Sequence, residues 1–173
     1  MAAGQPYMAF NPKSDTWDGT IMRPVSMLEV GDEIWIYYFA APSQRETENP
    51  DYPETAPTDY SMGLATLPRD RFVSIDGGAE AGTLTTRPLH FSGGRLHLNA
   101  DIAVGGEITV AVLDSAGTVL KEFGESQQLS GDSLDLHVAW QGEPHLARVS
   151  QQGVRFRFRL RSAKLFSFWV SDS

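Results

Sequence analysis

The chain has no cysteine. That removes disulfides, thiolate nucleophiles and cysteine-held zinc together, and it leaves the compartment open. Also missing is any stretch near the ~20 apolar residues that a bilayer-spanning helix requires, so no membrane partner is expected. The first residues, Met1 to Asn11, lack the basic start and apolar run of a signal peptide. Positive charge is in short supply: 14 Lys and Arg stand against 22 Asp and Glu, a formal net charge of −8. Nucleic-acid affinity comes mostly from cations on phosphates, so no nucleic-acid partner is expected. No Gly-x-Ser-x-Gly elbow and no Gly-rich phosphate loop occurs. His90, His97, His137 and His145 lack the i, i+2 or i, i+4 spacing of a metal site. Neither a metal nor a cofactor is expected.

What the chain does have is β patterning. Its 173 residues suffice for one good core or two small ones, and 41% hydrophobic with 21% charged residues is the balance of a folded chain. Helical periodicity is hard to find, whereas period-two runs recur between Gly, Asp and Pro. In Val154 to Leu160, Val154, Phe156, Phe158 and Leu160 share one face, and Arg155, Arg157, Arg159 and Arg161 share the other. Leu96 and Leu98 alternate with Arg95, His97 and Asn99; Ile108, Val110 and Val112 alternate with Thr109 and Ala111. These read as strands of one sandwich, with Ser92-Gly93-Gly94 and Asp114-Ser115-Ala116-Gly117 as hairpin turns.

The N-terminal part differs. In Glu33 to Ala40, Ile34, Ile36 and Tyr38 line one face and Trp35, Tyr37 and Phe39 the other. A strand apolar on both faces calls for a layer on each side, as in face-to-face blades around an axis. Val30-Gly31-Asp32 predicts a tight turn back to Ile21 to Leu28, where Pro24 argues for an edge or inner-rim strand. Ala41 to Asp59, with four prolines and five acids, reads as a long surface loop. Strand patterning resumes at Tyr60 to Leu67 and Phe72 to Ile75, and Asp76-Gly77-Gly78 marks a boundary between units 1–76 and 77–173.

The segment Tyr60 to Ile75, Tyr-Ser-Met-Gly-Leu-Ala-Thr-Leu-Pro-Arg-Asp-Arg-Phe-Val-Ser-Ile, resembles the closing strands of the last blade in five-bladed propeller glycosidases of the invertase, levanase and arabinanase type. Val30 to Tyr38 is similar to the middle of such a blade. Gly82 to Pro88 and Leu160 to Phe168 resemble the opening and the end of a sandwich that follows that blade in uncharacterised bacterial relatives. The resemblance implies an all-β chain, a propeller-blade-like antiparallel sheet followed by a two-sheet, jelly-roll-like sandwich. It also allows a secreted or periplasmic location. The family's activity implies two carboxylates flanking a glycosidic bond. Those sit on earlier blades, near a Trp/Asn-Asp-Pro-Asn stretch, an Arg-Asp-Pro triplet and a Glu-Cys segment, and none of the three occurs here.

Trp17, Asp18 and Arg23 are the candidates for contact with a sugar. Trp17, flanked by Asp15 and Asp18, offers a ring for stacking and carboxylates for hydroxyls; Arg23, beside Pro24, would stand on the innermost strand of a blade. Turn capping by the two acids and edge cover by Trp17 would account for the same residues. The arginine ladder Arg155 to Arg161 spaces charges about 7 Å apart along one face; it could grip an acidic polysaccharide or pair with acids on neighbouring strands. The chain therefore reads as a carbohydrate-associated β module with no catalytic residue of its own. The alternatives are a fragment of a glycoside hydrolase acting on a fructan- or arabinan-like polysaccharide, and a free-standing lectin-like domain. The apolar strand Glu33 to Ala40 marks the surface through which a homo-oligomer would form.

Overall fold

A two-residue turn starts the first sheet. Gly31, at φ +61°, and Asp32 reverse the chain between β1 (Ile21–Val30) and β2 (Glu33–Ala41), which pair antiparallel from Val30↔Glu33 to Ile21↔Ala41. In the computed structural model, Trp17 and residues 21–41 and 61–172 are described; the proline-rich stretch Ala41 to Asp59, from its second residue on, and Asp15 and Asp18 lie outside them. β3 (Ser61–Pro68) pairs on the other side of β2, giving the order β1-β2-β3. Pro24 thus lies on the outer described strand, next to a register shift between Pro24 and Ser26. A residue without an N–H is tolerated at such a place.

The two faces of this sheet differ. Ile34, Ile36, Tyr38 and Ala40 are buried, and Ile34 and Ile36 form a small cluster with Leu67. Gly63 faces Tyr38 across the β2–β3 pair, and a Cβ on Gly63 would run into the Tyr38 ring and the Trp17 ring above it. On the opposite face Leu28 (50%), Phe39 (40%), Met62 (60%) and Leu64 (44%) are exposed.

The chain divides into two compact units that meet in sequence between Arg69 and Asp70. Phe72 to Ser74, expected to continue the first sheet, is not strand; β4 (Ile75–Gly77) pairs instead with residues 163–165 of the second unit. The strand signal was two apolar side chains, Phe72 and Val73, and both are exposed.

The second unit is built on two long strands, β6 (Arg95–Leu113) and β8 (Arg155–Ser171), joined along most of their lengths. β5 (Gly82–Thr85) and β4 pair with β8, and β7 (Gly131–Val138) pairs with the first half of β6. Leu96–Leu98 and Ile108–Val112, which read as separate strands, are halves of β6. Between them residues 103–106 are opposed only by Ser162, and the register shifts there. Ser162 takes φ +46° and Gly105 φ +79°, so both strands bend at one level. The bend turns the halves toward one core: Leu96, Leu98, Ile108, Val110, Val112, Phe156 and Phe158 are fully buried in the same cluster. Each such side chain contributes about 1.5–3 kcal/mol by leaving water. The protein is all-β and antiparallel, and the layers of its sandwich are parts of one folded sheet.

Asp114 to Gly117 forms the expected hairpin turn, with Gly117 N–H donating to Asp114 O (3.0 Å) and Thr118 N–H to Asp114 Oδ1 (2.9 Å). Ser92-Gly93-Gly94 does not. It leads from Leu89, bridged to Val154, into β6, whose neighbours are β7 and β8. Its glycines serve close approach: a Cβ on Gly93 would meet the Ser171 backbone, and one on Gly94 would overlap the His145 ring. Among the described residues no helix is long and apolar enough to cross a membrane.

Candidate functional site

Of the residues singled out in the first unit, Trp17 and Arg23 are described, and they are not brought together. The Trp17 ring, 44% exposed, stacks on Tyr38 with centroids 5.9 Å apart and planes at 21°. Arg23 is exposed in register with Phe39, whose side chain belongs to the opposite face from Tyr38. Trp17 and Arg23 therefore flank the sheet rather than one ligand.

The arginine ladder is paired within its own unit. Arg159 and Arg161 both reach Glu107 Oε1, at 2.9 and 3.3 Å, Arg157 reaches Glu125 Oε1 at 3.1 Å, and Arg155 donates to the Ser115 and Thr86 carbonyls. The Arg161 hydrogen bond, with the charges of Arg161 and Arg159, holds the Glu107 carboxyl below its ordinary range against the opposing effect of burial. Opposite charges in neighbouring strands take up this face, so it is not a ready grip for a polyanion.

Polar chemistry concentrates instead on the outward face of the first half of β6. Alternation sends Leu96 and Leu98 to the core and Arg95, His97 and Asn99 to the other side. Register then sets three rings in a row across three strands, His137 on β7, His97 on β6 and Trp169 on β8. His97 lies parallel to Trp169 (5.3 Å, 11°) and tilted to His137 (5.6 Å, 57°). Although the His97 side chain is only 9% exposed, both its nitrogens are used: Nδ1 is 2.7 Å from Asp135 Oδ1, and Nε2 is 3.1 Å from Ser171 Oγ. A carboxylate can only accept, which places a proton on Nδ1. In the neutral ring the Nε2 lone pair then faces the Ser171 hydroxyl.

Beside this row lies a cleft of about 310 Å³, near the lower end of the ~300–1,000 Å³ typical of small-molecule sites. Arg95, His137, Glu143 and His145 give it donors and acceptors, and Trp140 and Pro144 give it apolar wall. Glu143 takes φ +48°, an uncommon backbone state for a residue with a side chain. Burial, then the nearby His97 and Arg95, lowers the His137 pKa from 6.5, with Asp135 and Glu143 opposing. The neutral His137 ring has one donor and one acceptor nitrogen. Among the described residues no group of three or more His, Asp or Glu is placed to hold a metal ion.

The sequence names Arg95, His137 and His145 among the cleft residues but gives no sign that they share a site. Close spacing along the chain is no guide to these histidines: His97 meets Asp135, 38 residues away, and Ser171, 74 residues away, through strand register. The usable signal was a polar, ring-bearing outward face on a strand whose inner face is wholly aliphatic.

Fold and site together define an all-β protein with a polar cleft beside β7 and the start of β6. Comparison with protein-family models, with curated proteins and with solved structures finds no match.

Proposed function

We propose that the chain is a carbohydrate-associated β module, related to the end of a propeller-type glycosidase, that binds a hydroxyl-rich ligand and does not cleave glycosidic bonds. The observation that carries this reading is the cleft. Arg95 offers a planar cation, His137 and His145 offer donor or acceptor nitrogens, Glu143 accepts, and Trp140 with Pro144 form the apolar wall. Sugars present such alternating hydroxyl rims and C–H faces. Cleavage of a glycosidic bond needs a second carboxylate across the bond, and the cleft presents only Glu143. The motif similarity of Tyr60 to Ile75 and Leu160 to Phe168 points to the same substrate class.

The test is calorimetric titration of the purified chain with neutral fructan, arabinan and glucan oligosaccharides, guided by a glycan array. Saturable binding to at least one is expected, and Arg95→Ala should weaken it about tenfold, the loss of one charge-assisted hydrogen bond. No binding across the panel, or binding unchanged in Arg95→Ala, would remove this reading. As for a protein partner, the exposed row of Leu28, Phe39, Met62 and Leu64 favours a second copy of the chain.

A further inference from the structure

Ser171, His97 and Asp135 stand in the order of a nucleophile, its base and the carboxylate that orients the base. We propose that they form an acyl-transfer site that hydrolyses a small O-acyl ester. The distances are those of such an arrangement: 3.1 Å from the Ser171 hydroxyl to Nε2 and 2.7 Å from Nδ1 to Asp135. Trp169 stacked on the ring and the low exposure of His97 keep the imidazole in one orientation. Ser171 itself is partly exposed.

A positive group also lies in register. Arg95 and Ser171 are cross-strand partners on β6 and β8, with Cβ atoms of such a pair about 4.5–5.5 Å apart. Arg95 lines the cleft as well. It is the cation placed to take the negative charge that grows on a carbonyl oxygen under attack by Ser171. The cleft is thus the place for the alcohol part of the ester. That this alcohol is a sugar rests on the binding reading above; the acyl chemistry does not.

The electron balance closes with water alone. Ser171 Oγ attacks the acyl carbon while its proton passes to His97 Nε2. The ester C–O bond then breaks, and the departing alkoxide takes that proton and leaves as alcohol. Water, deprotonated by the same nitrogen, attacks the acyl-serine. The carboxylic acid leaves, and Ser171 recovers its proton. Asp135 holds Nδ1–H throughout and is a positioning residue. A purely structural role for these groups, satisfying a buried histidine, would leave Ser171 no more reactive than any other serine.

The experiment treats the full chain with a fluorophosphonate probe, locates the adduct by peptide mass spectrometry, and follows p-nitrophenyl acetate hydrolysis alongside. The expected result is one adduct on Ser171, and hydrolysis that is lost in Ser171→Ala. Asp135→Asn, at an exposed position, should slow labelling at least about tenfold without loss of fold, and it carries the test of the base should His97→Gln fail to fold. A chain with native near-UV circular dichroism and no adduct on Ser171 overturns the proposal. Labelling as fast in Asp135→Asn as in the parent overturns it too. Sugar titration of Ser171→Ala separates the two readings: retained binding without labelling of the parent removes the acyl chemistry alone, and labelling without sugar binding removes the carbohydrate reading alone.

Discussion

Adding one methyl group at Gly106 should cost the second unit more stability than adding it at Gly105, although only Gly105 has a backbone angle that disfavours side chains. Gly105 sits at φ +79° with nothing within 4 Å of a Cβ, so Gly105→Ala carries only the left-handed backbone penalty, about 1 kcal/mol. Gly106 is buried at the bend, where a Cβ would lie inside the contact distance of Ser162 O, 2.8 Å from Arg161 O and 3.0 Å from Ala103 O. All three are backbone atoms, so no side-chain rotation relieves the overlap. Either β6 or β8 must shift, and the shift disturbs Glu107↔Arg161 and Ile102↔Ala163, the pairs that flank the bend. The expected cost lies at or above the upper end of the ~1–3 kcal/mol typical of overpacking. Urea denaturation followed by tryptophan fluorescence measures both variants. Gly106→Ala within about 0.5 kcal/mol of the parent, or less damaging than Gly105→Ala, would refute the packing of the bend.

Three further outcomes are expected. Arg71, 11% exposed, donates to Asn99 Oδ1 (2.8 Å) and Asp132 Oδ1 (2.6 Å) and lies 4.7 Å from the centre of the Phe166 ring. Arg71→Ala should lower stability by about 2 kcal/mol, and Arg71→Lys should recover little of it, since an ammonium cannot make the forked contact; thermal denaturation reads both. Because folding lowers the His137 pKa, the unfolded chain binds that proton more readily. Stability linked to this group is therefore full above 6.5 and is lost as pH falls from there toward the lower folded value; His137→Gln should flatten that part of a stability–pH curve. If the exposed face of the first sheet joins two copies, light scattering should show a dimer mass in the parent and a monomer mass in Leu64→Glu, with the melting temperature of the monomer unchanged because Leu64 is 44% exposed.

Much of the architecture was legible because alternation reports burial directly. Val154 to Leu160 shows its inner and outer faces without any partner strand, and Gly31-Asp32 between two apolar runs identifies a hairpin. The union of Leu96–Leu98 and Ile108–Val112 into one strand was not legible, since Gly105-Gly106 looks like an ordinary break in the pattern. Only the pairing with β8 shows the chain passing through a bend. Phe72 and Val73 misled for a related reason: apolar identity suggested burial that the fold does not provide. The cleft was hidden more deeply. His137, Arg95 and Glu143 come from β7, β6 and the segment after β7, and their proximity depends on register, which no local pattern encodes.

Amide chemical-shift mapping of the labelled chain, titrated with neutral fructan, arabinan and glucan oligosaccharides, tests the proposed sugar binding most directly. Binding in the cleft predicts saturable shifts at Gly94, Arg95, His137, Glu143 and His145, and still spectra around Trp17 and Arg23. Shifts confined to the first unit, or none at any concentration reached, would contradict it.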